Sequence, residues 1–272
     1  MSGRLVTAAA LAHLRWDSAL GRPGPLVVLL HGVGGGRGAW DDQGSGTGAA
    51  LAAAGFTALA VDCPGYGLSA PIDPFDLAGM AGAVERLIAE IDLGPAWLVG
   101  HSMGGMVAQE LAARAPSALA GLVLASSSPA FGKPGGDWQR EFLQSRFAPL
   151  DAGLGMAGLA AQLVPAMLAP GASAHVAAGA QASMGQIPEA TYRAAVAALV
   201  AFDRRVNLPL IAMPTLVITG EHDRTAAPEV ARKMAERIAG ARLQIVPGAG
   251  HLLPLECADV FNAALLAFLL QR

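Results

Sequence analysis

Apolar residues in this chain gather in short unbroken runs, with longer stretches of helical repeat between them. Leu26 to Leu30 (LVVLL) lies between Pro25 and His31-Gly32, and Thr57 to Val61 stops at Asp62 and Pro64. Trp97 to Val99, Gly121 to Ala125, Thr215 to Thr219 and Arg242 to Val246 follow. A run without polar alternation suits a strand buried on both faces, as in the middle of a parallel sheet. Phe75 to Ile91, Met103 to Arg114, Pro228 to Ile238 and Asp259 to Leu270 read as helices. Pro228 stands where a helix begins and Gly240 just past where it ends. Strand and helix in alternation predict an α/β fold, a mostly parallel central sheet flanked by helices.

The alternation fails once, between residues 129 and 208, where the repeat is helical and no strand-like run occurs. Ala152 to Gln186 has no acidic or basic residue except His175. Pro165, Pro170 and repeated glycines cut it into pieces too short to span a bilayer, so it reads as short helices. An insertion into βα units sits over the C-terminal edge of the sheet, where ligands bind. The expected organisation is a core of residues 1–128 and 209–272 with a helical cap, 129–208, inserted after the sixth strand. Arg4 followed by Leu5 to Leu14 faintly resembles a signal peptide. His13, Arg15, Trp16 and Asp17 follow at once, so the segment reads as the first strands of the domain.

Composition narrows the functional classes. The 272 residues are 53% hydrophobic and 14% charged, enough for a large core and against disorder. Much of the apolar content is alanine, so the positive mean hydropathy does not imply a membrane protein. A net charge of -3 without any Lys/Arg-rich run sets nucleic acid aside as a partner. Cys63 and Cys257 stand in unrelated contexts without metal-ligand spacing, which argues against a zinc site or a disulfide framework and fits the cytoplasm.

The chemistry concentrates in four loops. Gly100-His101-Ser102-Met103-Gly104 is a G-x-S-x-G pattern with a strand before it and a helix after it. Such a sharp turn projects the serine from the sheet edge, and the helix N-terminus behind it favours developing negative charge. Serine needs a base. His251, in the glycine-rich loop Gly248 to His251 after the last strand, is free to reach it. The acid belongs in Gly220-Glu221-His222-Asp223, where Asp223 is favoured over Glu221 because it stands at the far end of the loop; Asp62 and Asp203 are weaker candidates. The order Ser, Asp, His is the one this elbow predicts. Backbone N–H groups of Val33 and Met103 are the candidate oxyanion donors. His31-Gly32 begins the glycine-rich loop 31–36, and the rival reading of that loop as a phosphate cradle lacks G-x-G-x-x-G spacing, although Asp62 does end the next strand. His31, Gly32, Trp40, Trp138 and Leu252 are candidate pocket residues; Arg140 and Arg146 read either as surface arginines or as holders of a substrate carboxylate.

Read together, His31-Gly32, Asp62-Cys63-Pro64-Gly65-Tyr66-Gly67-Leu68-Ser69, the elbow Gly100 to Gly105, Gly220 to Asp223 and Gly250-His251 resemble the α/β-hydrolase superfamily nearly end to end. Ser102 to Val107 and Pro214 to Asp223 are similar to 3-oxoadipate enol-lactonases, while the glycine-rich loop 31–36 looks more like that of esterases. The resemblance implies a cofactor-free, metal-free hydrolysis through an acyl-enzyme, acting on a small, largely apolar ester or lactone. A carbon–carbon bond hydrolase of the meta-cleavage type would use the same residues. A non-catalytic ligand-binding protein on the same fold is the competing class. The expected partner is a small molecule, neither nucleic acid nor membrane, with monomer and homodimer both open.

Overall fold

Five of the six apolar runs become strands without an exposed residue, and the sixth, Arg242–Val246 at the sheet edge, exposes Arg242 and Leu243. β3 (Leu26–Leu30), β4 (Thr57–Val61) and β7 (Thr215–Gly220) are buried along their whole length. They join β1 (Arg4–Ala8), β2 (Leu11–Trp16), β5 (Ala96–His101), β6 (Leu119–Ala125) and β8 (Arg242–Val246) in one sheet ordered β1-β2-β4-β3-β5-β6-β7-β8. β1 and β2 form an antiparallel edge hairpin, and β4, β3 and β5 to β8 run parallel. The computed structural model describes residues 2–41, 43–132 and 135–271.

Successive strand side chains point to opposite faces of a sheet. Val28, Leu30, Leu59 and Val217 meet one face, covered by α2 (Leu77–Ile91), α3 (Met103–Arg114) and α8 (Pro228–Arg237). Val27, Leu29, Ala60 and Ile218 meet the other, covered by α1 (Thr47–Ala53) and α10 (Ala258–Leu269). This is why the strands show no polar alternation. Helix boundaries follow caps more than periodicity: α2 starts at Leu77 and not at Phe75, because the Asp76 carboxylate accepts the Gly79 N–H at 2.7 Å.

Between β6 and β7 the described residues form the α-helices α4 (Asp137–Asp151), α5 (Gly155–Met167), α6 (Ala174–Gly185) and α7 (Glu189–Val200). Pro165 does not cut the chain as the sequence suggested. It lies inside α5, and Pro149 lies inside α4. Each is followed by only two more helical residues, so the lost N–H and the ring clash disturb just the final turn. Among the described residues no helix is long and apolar enough to cross a membrane.

The two stems of this insertion are zipped together. Phe131 N–H donates to Phe202 O at 3.0 Å and Arg204 N–H to Pro129 O at 2.7 Å. The Arg204 guanidinium then grips Glu110 of α3 in a two-pronged pair at 2.6 and 2.5 Å. Glu110 is 8% exposed and Arg204 36%, so deleting the arginine leaves a largely buried carboxylate without its cation. Arg204→Ala is expected to lower stability by about 2–3 kcal/mol, below the 3–5 of a fully buried pair because the arginine is partly wet. Urea unfolding of the variant beside wild type reads this directly; an unchanged midpoint would refute it.

Candidate active site

The parallel strands end at one edge of the sheet, with Leu30 opposite Gly100 and Gly100 opposite Leu124. The loops bearing Val33, Ser102, Asp223 and His251 leave from that edge. β5 passes into α3 through the single residue Ser102, whose φ of 51° and ψ of -113° fall where L-residues rarely sit. The turn exists because two glycines make room for it. A Cβ on Gly100 would lie 2.3 Å from Gly104 O, and one on Gly104 would lie 2.4 Å from Leu30 O. Ser102 N–H donates to Ala125 O at 2.9 Å, and Ser127 Oγ–H to Ser102 O at 2.8 Å, so β6 and the loop after it hold the strained peptide from both sides.

His251 Nε2 stands 3.1 Å from Ser102 Oγ, and its Nδ1 stands 2.9 and 3.0 Å from the Asp223 oxygens. Both His251 and Asp223 are buried. Asp223 Oδ1 also accepts the Thr225 and Ala226 N–H groups, each at 2.8 Å. Burial pushes the Asp223 carboxyl up, but the His251 charge and these hydrogen bonds outweigh it and hold it below its ordinary 3.8. An ionised carboxylate only accepts, so Nδ1 carries the imidazole proton and Nε2 turns its lone pair to the serine hydroxyl.

The other acids are committed elsewhere. Glu221 is exposed and takes the Gly248 N–H at 3.0 Å. Asp203 pairs with Arg205. Asp62 accepts the Arg37 N–H at 2.9 Å and the Leu68 N–H at 3.2 Å, besides the Arg37 guanidinium. Its oxygens are therefore occupied by Arg37, just past the glycine-rich loop, and by Leu68, which removes the ribose-binding role that a phosphate cradle would require.

That loop lies against the serine: a Cβ on Gly32 would come within 3.2 Å of Ser102 Cβ. Gly35 N–H closes a tight turn onto Gly32 O at 3.0 Å, with Val33 and Gly34 at its centre. Tyr66 Oη–H donates to Val33 O at 3.1 Å. Met103 is the first residue of α3, where an N–H has no intrahelical acceptor. His31 lines the cavity, yet both its nitrogens are used: Nδ1–H donates to Gly32 O at 2.8 Å, and Nε2 accepts the Cys63 N–H at 3.0 Å. Burial lowers its pKa and keeps it neutral. His101 is likewise neutral, lowered by burial and then by His251 to about 4, and its Nε2–H donates to His251 O at 2.8 Å. The Arg37–Asp62 clamp, Tyr66 and His101 escaped the sequence reading as supporting groups. Their motifs were visible, but hydrogen-bond partners 25 to 150 residues away leave no trace in spacing.

Above the serine opens a cavity of about 1120 Å³. Gly32, Ser102, His251 and Leu252 form part of its floor, and Phe142, Val164, Met167, Met184, Tyr192 and Val196 of the inserted helices line it too. Trp40 reaches the wall but is 1% exposed, with its bulk packed near Phe261 at 6.1 Å. Trp138 also lines it, stacked on Phe142 and half in solvent. Arg140 is exposed and pairs with Asp137, whereas Arg146 lines the cavity with its guanidinium over the Phe142 ring at 4.5 Å. Cys63 is buried and its thiol is pushed up to about 12, too high for a thiolate role. Among the described residues, no three His, Cys, Asp or Glu side chains converge as metal ligands.

Comparison with known proteins agrees with this architecture. The alpha/beta hydrolase family model matches residues 27–264. A candidate carbamate hydrolase, RutD, of Variovorax paradoxus is 34% identical over 252 residues, spanning 90% of this chain and 92% of that one. The pimeloyl-[acyl-carrier protein] methyl ester esterase of Nitrosospira multiformis is 31% identical over 268 residues, spanning 90% and 94%. The crystal structure of the enol-lactonase from Burkholderia xenovorans superposes with a TM-score of 0.82 at 27% identity, covering 98% of this chain and all of that one. A match running from β3 into α10, on a sheet of this strand order, makes the chain a member of the alpha/beta hydrolase family.

Proposed function

We propose that the protein is a serine hydrolase that cleaves a carboxylic ester or lactone through an acyl-enzyme. One observation carries the reading: the buried line from Asp223 through His251 to Ser102 Oγ, closed at 2.9 and 3.1 Å on the floor of the cavity. In this mechanism His251 Nε2 takes the Ser102 proton as Oγ attacks the substrate carbonyl, and Asp223 stabilises the imidazolium. The oxyanion is held by the Val33 and Met103 N–H groups, each contributing about 3–4 kcal/mol to transition-state stabilisation. The tetrahedral adduct expels the alcohol, which leaves with the proton from His251. Water, deprotonated by the same nitrogen, then resolves the ester on Ser102.

Residues 129–208 act as the cap in this reading. Its Phe, Val and Met lining favours a largely apolar substrate, since desolvating a charge against such a wall is costly. The RutD relative motivates a second substrate class, carbamates, whose carbonyl meets the same nucleophile and the same oxyanion donors.

Hydrolysis of p-nitrophenyl acetate, butyrate and octanoate and of an aryl carbamate tests the assignment. Ser102→Ala is expected to lose about 10³-fold or more in kcat on whichever substrates wild type accepts. Full activity in that variant would refute Ser102 as the nucleophile. The acid is tested separately. Asp223→Asn, which inverts the favoured tautomer, is expected to lower kcat by about 10⁴-fold. Glu221→Gln, at the rival carboxylate, is expected to stay within about twofold of wild type. The reverse ranking would make Glu221 the acid.

A further inference from the structure

His251 stands in a loop, three residues past the turn that follows β8 and just before the short helix α9 (Leu253–Glu256). A loop side chain that must meet two partners within a few tenths of an ångström needs its backbone held. Two bonds act on His251 itself: its carbonyl accepts from His101, and its N–H donates to Met167 O at 2.8 Å. Its neighbours are held by one side chain. Glu256 Oε1 accepts the Leu252 N–H at 2.9 Å, and Oε2 accepts the Gly250 N–H at 3.2 Å.

The same Oε2 accepts a third amide, that of Ala169, at 2.7 Å. Ala169 is 87 residues away in sequence and stands two residues beyond the end of α5. A carboxylate that merely tied off its own short helix would have no reason to collect that amide. The approach is close: a Cβ on Gly250 would lie 2.5 Å from Ala169 N and 2.7 Å from Met167 O. The end of α5 and the histidine loop are therefore in backbone contact, with no space for an intervening layer.

We propose that Glu256 is a positioning residue, a latch that joins the end of α5 to the loop carrying His251, so that seating of the inserted helices and placement of the histidine form one coupled state. The catalytic consequence rests on the serine-hydrolase reading above; the latch itself does not. Glu256 touches no reacting atom. It acts through backbone amides, and each such bond to an ionised acceptor is stronger than a neutral one.

Native-state hydrogen exchange on wild type tests the latch without any substrate. The amides of Ala169, Gly250, His251 and Leu252 are expected to open as one unit with a common protection factor. Ala169 opening independently of the other three would overturn the latch, whatever the nucleophile. Glu256→Gln tests the positioning role, because one amide oxygen replaces two carboxylate acceptors. With circular dichroism unchanged, kcat on p-nitrophenyl butyrate should fall about 10- to 100-fold while KM stays within about twofold. The low-field Nδ1–H proton resonance of His251 should broaden or shift in parallel. A folded variant with wild-type kcat and an unaltered resonance would overturn the positioning role. Should the variant fail to fold, the exchange pattern of wild type decides. Full activity of Ser102→Ala would sink the nucleophile assignment while leaving the exchange result intact.

Discussion

The site hangs on one constraint, the passage of β5 into α3 through a single residue. Ser102 sits at φ 51° because the chain reverses there without a loop, and the backbones of Gly100, Gly104 and β3 lie too close for any side chain to intrude. A conformation of this kind costs on the order of 1–3 kcal/mol and persists only when its surroundings over-determine it. Here they do. Ser102 is bonded at its N–H by the end of β6 and at its carbonyl by Ser127 of the following loop, and the helix behind it is packed into the core through Met103, Met106 and Val107. The strain is held by the sheet, and what it achieves is a hydroxyl presented at the strand edge beside an orphan helix-terminal N–H.

Around that hydroxyl the molecule keeps His31 and His101 neutral and its charges specific. His31 and His101 are buried, and both hydrogen-bond as neutral rings to backbone groups that shape the site. One carboxylate, Asp223, faces His251 and is held ionised by it and by two loop amides. Asp62, equally buried, is neutralised by Arg37 and spends its remaining capacity on the backbone amides of Arg37 and Leu68. Two buried acids of the same type thus do different things, and the difference lies in the partner each one meets, the His251 ring or the Arg37 guanidinium.

Helices α4 to α7 are tied to the core at two places. Their stems are zipped to each other and anchored through Arg204 to Glu110 on the helix that begins at Met103. Their middle, at the end of α5, contacts the His251 loop. The apolar cavity between them consequently shares its walls with the line from Asp223 through His251 to Ser102 on its floor.

Much of this was legible in the chain. The continuous apolar runs announce strands buried on two faces, since only such strands can dispense with polar positions, and the helical repeat from 129 to 208 announces the helices α4 to α7. Glycines at 100 and 104 around a serine mark the sharp turn, because no other residue fits where backbones touch. The sequence likewise singled out Ser102, Asp223 and His251, and the fold brings these three side chains together. Tertiary structure alone decided the rest. It put Glu221 on Gly248 and left Asp223 facing the ring. It sent Arg140 to solvent and Arg146 to the cavity. It let α5 run through Pro165 and aimed Glu256 at an amide 87 positions away. Periodicity and spacing record which residues share a face of one element, but the direction of a side chain across a gap is set by how separate elements pack.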